Sequence, residues 1–211
     1  NSKDNHYRLT ADALKVIKTF GTDKWESQLK KYKKKIGTLQ GKYERQRDLR
    51  KIPITLANGE TIKFSPGKHN QVQIAIIKEF APRFAPGSKL LYVGDTAKKD
   101  LFIDKDAFTK LRVPMDQHSK LPDVVLYDTK KKWIYLVEAV TSHGPISPKR
   151  IIELESLFSK CNSGLVYVTA FPDIKEFKKH TNDIAWETEV WLSDIPDHMI
   201  HFNGDRFIGP R

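Results

Sequence analysis

Residues 122–140 read PDVVLYDTKKKWIYLVEAV, and this stretch decides the fold. Two apolar runs, 123–127 and 133–140, flank a polar turn, 128–132. Nearly continuous apolar runs of this length are expected of strands covered on both faces. A symmetric turn centred between Lys130 and Lys131 makes the strands antiparallel neighbours. It pairs Leu126 with Tyr135 and, further along, Asp123 with Glu138. Cross-strand partners have Cβ atoms about 4.5–5.5 Å apart, where like charges repel. The flanking residues are Val124, Val125, Val137 and Val140, so something must neutralise the two acids. Three readings are open at this point: a divalent cation with hard oxygen ligands, an acid/base pair of the glycosidase kind, or a one-residue slip that sends the carboxylates to separate faces.

Working outward, 90–93 is a further buried strand, ending at Gly94-Asp95-Thr96. Before it, a helix over 69–80 carries Val72, Ile76 and Phe80 along one stripe, broadened by Ile74 and Ile77, and Pro82 is expected to end it. The insertion 97–121 holds a short helix over 106–111. After the central pair, Ser147-Pro148 opens a helix, with Ser as cap and Pro at the first position. Its predicted buried stripe is Ile151, Ile152, Leu154, Leu157 and Phe158. A strand over 165–171 follows, and strand, helix, strand at this spacing implies a parallel pair with a right-handed crossover. The tail reads as a helix over 174–179, a strand over 184–192 and a hairpin around Asn203-Gly204. Helix, three strands, helix, strand describes an α/β sandwich around one mixed sheet.

Upstream, 52–56 and 61–64 flank Asn58-Gly59, the pair favoured by a type I′ hairpin turn. Residues 8–51 are helical and cationic. Leu9, Ala13, Val16, Ile17 and Phe20 recur at helical spacing, Gly21 stops that helix, and Asp23-Lys24-Trp25 restarts one that carries Lys33, Lys34, Arg45 and Arg47 among many basic residues. Two domains are therefore expected, a basic helical segment at 1–51 and an α/β domain at 52–211. The helical segment is suited to tracking phosphates without reading bases.

Lys plus Arg outnumber Asp plus Glu by 37 to 26 in 211 residues, a formal charge of +11, which favours nucleic acid or an anionic membrane as partner. No apolar run approaches the roughly 20 residues of a membrane span, and 1–6 lacks the apolar segment of a signal peptide. A cytoplasmic protein without membrane insertion is expected. The single cysteine, Cys161, excludes an intrachain disulfide and a multi-Cys zinc site. No glycine-rich phosphate loop is present, against an ATP-driven subunit. Because the sequence opens on Asn1, an upstream segment is expected.

Pro122-Asp123, fourteen residues, then Glu138 on the adjoining strand resembles the PD-(D/E)xK nuclease motif within the restriction-endonuclease-like core. Ser65-Pro66-Gly67-Lys68-His69-Asn70, Leu91-Tyr92-Val93-Gly94-Asp95-Thr96, Val137-Glu138-Ala139-Val140-Thr141-Ser142-His143-Gly144-Pro145 and Trp186-Glu187-Thr188-Glu189-Val190-Trp191 together resemble the BsuBI/PstI family of type II restriction endonucleases. The resemblance runs from about Ile52 to the carboxyl end. It implies Mg²⁺-dependent double-strand cleavage of DNA at a short palindrome, CTGCAG in the family's namesakes, by a homodimer of bacterial or archaeal origin, with a cognate DNA methyltransferase as functional partner. Family members are longer, with an amino-terminal helical DNA-binding region that 8–51 would join to the core. A structure-specific or repair nuclease and a noncatalytic DNA-binding regulator are the alternatives.

Asp123 and Glu138 are then the metal ligands, with Asp95 as a possible third or a second-sphere acceptor. The sequence departs from the motif at Val140, where a lysine is expected. A lysine there would orient or deprotonate water and offset phosphate charge, which valine cannot do. Lys149, in the first turn of the next helix, is the chosen substitute, and Arg150 the second choice and a DNA contact. Glu79, Gln71 and Gln73 are candidates for the acid that the superfamily often places on the helix before the sheet. Ser142 and His143 are placed at DNA near the metal. His69 and Asn70 are read as helix-start residues that cap or bind phosphate, and Gln117, His118, Ser119 and Lys120 as base-reading candidates.

Overall fold

The computed structural model describes residues 8–37, 41, 48–96, 100–115, 120–141 and 144–202. The chain divides into two compact units, residues 1–50 and 51–211.

In the first unit, α1 (Ala11–Ile17) starts where Thr10 accepts a hydrogen bond from the Ala13 N–H, and α2 (Trp25–Ile36) follows. Gly37, at φ +65°, ends α2 well short of the long basic helix the charge run suggested. Of the apolar stripe, Val16 alone is buried, whereas Leu9, Ile17 and Phe20 are exposed. Lys33 and Lys34 lie on the exposed surface of α2, and Lys35 pairs with Asp12 across the two helices. Arg45 and Arg47 fall outside the described residues.

The second unit opens with a hairpin, β1 (Ile52–Thr55) and β2 (Thr61–Phe64). The turn is not type I′. Gly59 has φ +84° while Asn58 keeps a negative φ, and the Gly59 N–H bonds the Leu56 carbonyl. That is a three-residue loop in which a type I turn is closed by a left-handed glycine. A helix then runs through α3 (Lys68–Ala75), a π-helical turn (Ile76–Phe80) and α4 (Ala81–Phe84). Pro82 does not end it. The Ala81 N–H reaches back five residues to the Ile76 carbonyl, and this wider turn moves aside the backbone that the proline ring would otherwise crowd.

The other strands are β3 (Lys89–Val93), β4 (Phe102–Ile103), β5 (Val124–Asp128), β6 (Trp133–Ala139), β7 (Gly164–Phe171), β8 (Thr188–Leu192) and β9 (Met199–Phe202). They form one sheet in the order β4-β3-β5-β6-β7-β8-β9. β3, β5 and β6 are mutually antiparallel where paired, and β6, β7 and β8 are parallel, so the sheet is mixed. Helices α5 (Lys105–Lys110), α6 (Pro148–Leu157) and α7 (Ile174–His180) fill the connections. Beyond the expected pattern, β9 closes the sheet antiparallel to β8, and β8 starts only at Thr188 because Glu187 takes a left-handed φ of +61°. The turn placed around Asn203-Gly204 lies outside the described residues.

Side chains alternate cleanly on the central strands. Tyr135, Val137, Val124 and Leu126 pack against Val72 of α3 and Ile76 and Phe80 of the π-helical turn that continues it. Ile134, Leu136 and Val125 pack on the opposite face against Leu154 and Phe158 of the α6 segment. Ile152, expected in that stripe, is 67 % exposed, so the buried face of α6 is narrower than the apolar spacing implied.

Candidate active site

The β5–β6 turn fixes the register of the site. Asp128 Oδ1 accepts the N–H groups of Lys130 and Lys131, and Lys132 closes the turn at φ +55°. Those bonds hold the Asp128 carboxyl below its ordinary range, with the Lys131 N–H as the largest cause. From Asp128 opposite Trp133, the ladder runs through Leu126 opposite Tyr135 to Val124 opposite Val137. The next step along it is Asp123 toward Glu138, on the face shared with Val125 and Leu136, as the symmetric turn requires.

Each acid is met by one basic side chain, and the two come from helices on opposite faces of the sheet. His69, on the first turn of α3, places Nε2 3.1 Å from Asp123 Oδ1, while the Ala139 N–H donates to Asp123 Oδ2 at 2.8 Å. Arg150, on the first turn of α6, donates from Nε to Glu138 Oε1 at 2.8 Å, and its Nη2 lies at the same distance from that oxygen. Nη2 also donates to the Lys120 carbonyl at 3.0 Å and Nη1 to Glu153 Oε2 at 3.2 Å.

The electrostatics follow from this packing. Burial and the neighbouring Asp123 charge push the Glu138 carboxyl up to about 7, and Arg150 offsets only part of that. The hydrogen bond to Asp123, followed by the charges of Asp123, Glu138 and Asp95, raises His69 against the opposing effect of its burial. Gln73, one turn along α3, is buried with its Nε2 3.4 Å from His69 Nε2. Gln71 faces outward, and Glu79 is paired with Arg83 at 2.7 Å.

The other expected site residues are placed as follows. Asp95 does not join the two acids: its carboxylate accepts the Ser65 N–H at 2.9 Å and the Ser65 hydroxyl at 2.8 Å, and it bonds the buried Asn70 amide. It fastens the junction between β2 and α3 to the end of β3, and those donors occupy both its oxygens. Among the described residues no group of three or more His, Cys, Asp or Glu side chains is arranged to hold a metal. Val140 is fully buried beside Phe171, Ile184, Val190 and Leu192, a setting that would strip water from a lysine ammonium. Lys149 is exposed on the wall of a cleft of ≈ 360 Å³ whose lining includes Glu138, Arg150, Lys120, Ser147 and Glu153. Ser142, His143, Gln117, His118 and Ser119 lie outside the described residues.

Two partly exposed carboxylates from adjacent strands, beside a cationic cleft, suit Mg²⁺. That ion takes one or two protein carboxylates and completes its shell with water and substrate phosphate.

Residues 52–205 match the BsuBI/PstI restriction endonuclease domain. This chain belongs to the BsuBI/PstI restriction endonuclease family. Over 210 residues it is 46 % identical to type II restriction enzyme BsuBI of Bacillus subtilis, covering all of this chain and 66 % of that one. It is 30 % identical over 215 residues to type II restriction enzyme AplI of Arthrospira platensis, covering 99 % of this chain and 66 % of the relative. The structure of SdaI restriction endonuclease superimposes with a TM-score of 0.73 at 40 % identity, over 96 % of this chain and 64 % of that one. The BsuBI/PstI chain described here thus spans about two thirds of the length of its relatives, and its α/β core is that of a restriction endonuclease.

Proposed function

We propose that this chain is the catalytic portion of a type II restriction endonuclease of the PD-(D/E)xK kind, making Mg²⁺-dependent double-strand cuts in DNA at a short, CTGCAG-like palindrome. The observation that carries the reading is the β5–β6 register, which runs on from Val124 opposite Val137 to bring Asp123 toward Glu138, with Glu138 lining a cleft shared with Lys120, Lys149 and Arg150, within a BsuBI/PstI domain. Palindromic recognition favours a two-fold homodimer. The setting is a bacterial or archaeal cytoplasm, where a cognate DNA methyltransferase would protect host sites.

Asp123 and Glu138 would hold the ion. Bound Mg²⁺ supplies charge stabilisation at the scissile phosphate and makes water a better nucleophile. The Ala139 N–H fixes Asp123 Oδ2, so the strand backbone itself orients one ligand. Lys149, exposed on the cleft wall, approaches the phosphate and takes the role that Val140 vacates. Lys33 and Lys34, with Arg45 and Arg47, track backbone phosphates, and Ser142 and His143 contact DNA near the cut. The 1–50 unit serves as the remainder of an amino-terminal DNA-binding region.

Digestion of plasmid DNA with Mg²⁺ and with EDTA tests this. Discrete fragments bearing 5′-phosphate ends, formed only with metal, are expected. Branched-substrate or nicked products would point to a repair nuclease, and metal-independent retention without cutting to a regulator.

A further inference from the structure

The geometry points to Arg150 as the positioning residue of the metal site, a role that rests on the reading of Asp123 and Glu138 as metal ligands. Nε and Nη2 of Arg150 both lie 2.8 Å from one Glu138 oxygen, Oε1. That grip holds the carboxylate through one oxygen, Oε1, while Asp123 lies within hydrogen-bond reach of the same carboxyl group. The guanidinium is itself held from two further directions. Glu153 bonds Nη1 from one turn along α6, and the Lys120 carbonyl bonds Nη2 from the segment that leads directly into Asp123. A single planar group thereby ties together the strand carrying Glu138, the segment carrying Asp123 and the helix that follows. The Arg150 and Glu138 side chains are only 17 % and 16 % exposed, so the bond between them is largely shielded from water, while the bond to the Lys120 carbonyl is exposed. A lysine has three donors on a single nitrogen, whereas the guanidinium spreads its donors over Nε, Nη1 and Nη2 and so meets three separately placed acceptors at once. Lys149, the neighbouring residue, is exposed and makes no comparable network among the described residues, which separates the two cations into a fixed positioning group and a substrate-facing one.

The role has a diagnostic sign. Deleting a cation beside two acids should, on Coulomb's law alone, tighten binding of a divalent ion. Deleting a group that orients a ligand should weaken it, typically by about 10–100-fold. Mn²⁺ binding to the full chain without DNA, followed by electron paramagnetic resonance, reads that sign directly, with circular dichroism melting to check folding. Arg150→Ala is expected to bind Mn²⁺ about 10–100-fold more weakly, Arg150→Lys and Glu153→Gln to lose less in the same direction, and added methylguanidinium to recover part of the Arg150→Ala loss. Lys149→Ala is expected to stay near the parent. Unchanged or tighter binding by folded Arg150→Ala overturns the inference. If that variant does not fold, parental affinity in both Arg150→Lys and Glu153→Gln overturns it instead. Cleavage by Glu138→Ala at the parental rate would remove the metal reading itself. An inactive Glu138→Ala alongside parental Mn²⁺ affinity in Arg150→Ala removes only the role of Arg150.

Discussion

Without metal, the site should be a source of instability that grows with pH. Glu138 ionises at about 7 in the folded chain against an ordinary 4.5, because of burial and the Asp123 charge. The sign follows from proton binding. Between those two values the folded state holds a proton that the unfolded state has released, so stability falls as pH rises through the window and levels off above about 7. A displacement of that size corresponds to on the order of 3 kcal/mol, or roughly 6–12 °C in Tm for a protein this long. His69, whose raised pKa favours the charged form in the folded state, contributes in the same direction as it deprotonates. Thermal unfolding of the metal-free chain from pH 5 to 8.5, beside Glu138→Gln, isolates the contribution of Glu138. The parent is expected to lose Tm steeply up to about pH 7 and little beyond it, and the variant much less throughout, and millimolar Mg²⁺ should restore the parent at pH 8 while leaving the variant nearly unchanged. Parallel pH profiles for the two proteins would refute the reasoning.

Lys149→Ala is expected to slow single-turnover cleavage at least about 100-fold while leaving Mg²⁺-free DNA binding largely intact, as a rate measurement beside a binding isotherm will show. Asp95→Ala should leave the Ser65 and Asn70 donors without their acceptor and cost on the order of 2–3 kcal/mol in denaturant unfolding. It should leave Mn²⁺ affinity near the parent, whereas Asp123→Ala should abolish it. Replacing Lys33 and Lys34 with Gln should flatten the salt dependence of DNA affinity by roughly one to two in log–log slope and weaken all sequences alike.

The sequence disclosed the parts of the site that are local. Asp123 and Glu138 are joined by one tight turn, so apolar periodicity and turn symmetry were enough to bring them together. The cap at Ser147 and the parallel β6–β7 crossover were legible for the same reason. What depends on rotation about a helix axis was not. Lys149 and Arg150 are adjacent in sequence but about 100° apart on α6, and packing of Leu154 into the core decides which one turns to Glu138. The same narrow packing leaves Ile152 outside. His69 reaches Asp123 across 54 residues, through a helix whose placement depends on the whole apolar layer beneath it, and no local signal marks that contact. Asp95 was visible as a polar residue ending a strand. Its partners Ser65 and Asn70 come from the hairpin-to-helix junction, so its fastening role emerges only when that junction folds over β3.

The central claim is that Asp123 and Glu138 form one metal-binding pair, and a double-mutant cycle tests it most directly. Mn²⁺ affinity and plasmid cleavage are measured for the parent, Asp123→Asn, Glu138→Gln and the double variant. The account predicts that each single change removes cleavage and weakens Mn²⁺ binding, and that the double variant is hardly worse than either, because the two act as a unit. Retention of parental cleavage by either single variant would contradict it.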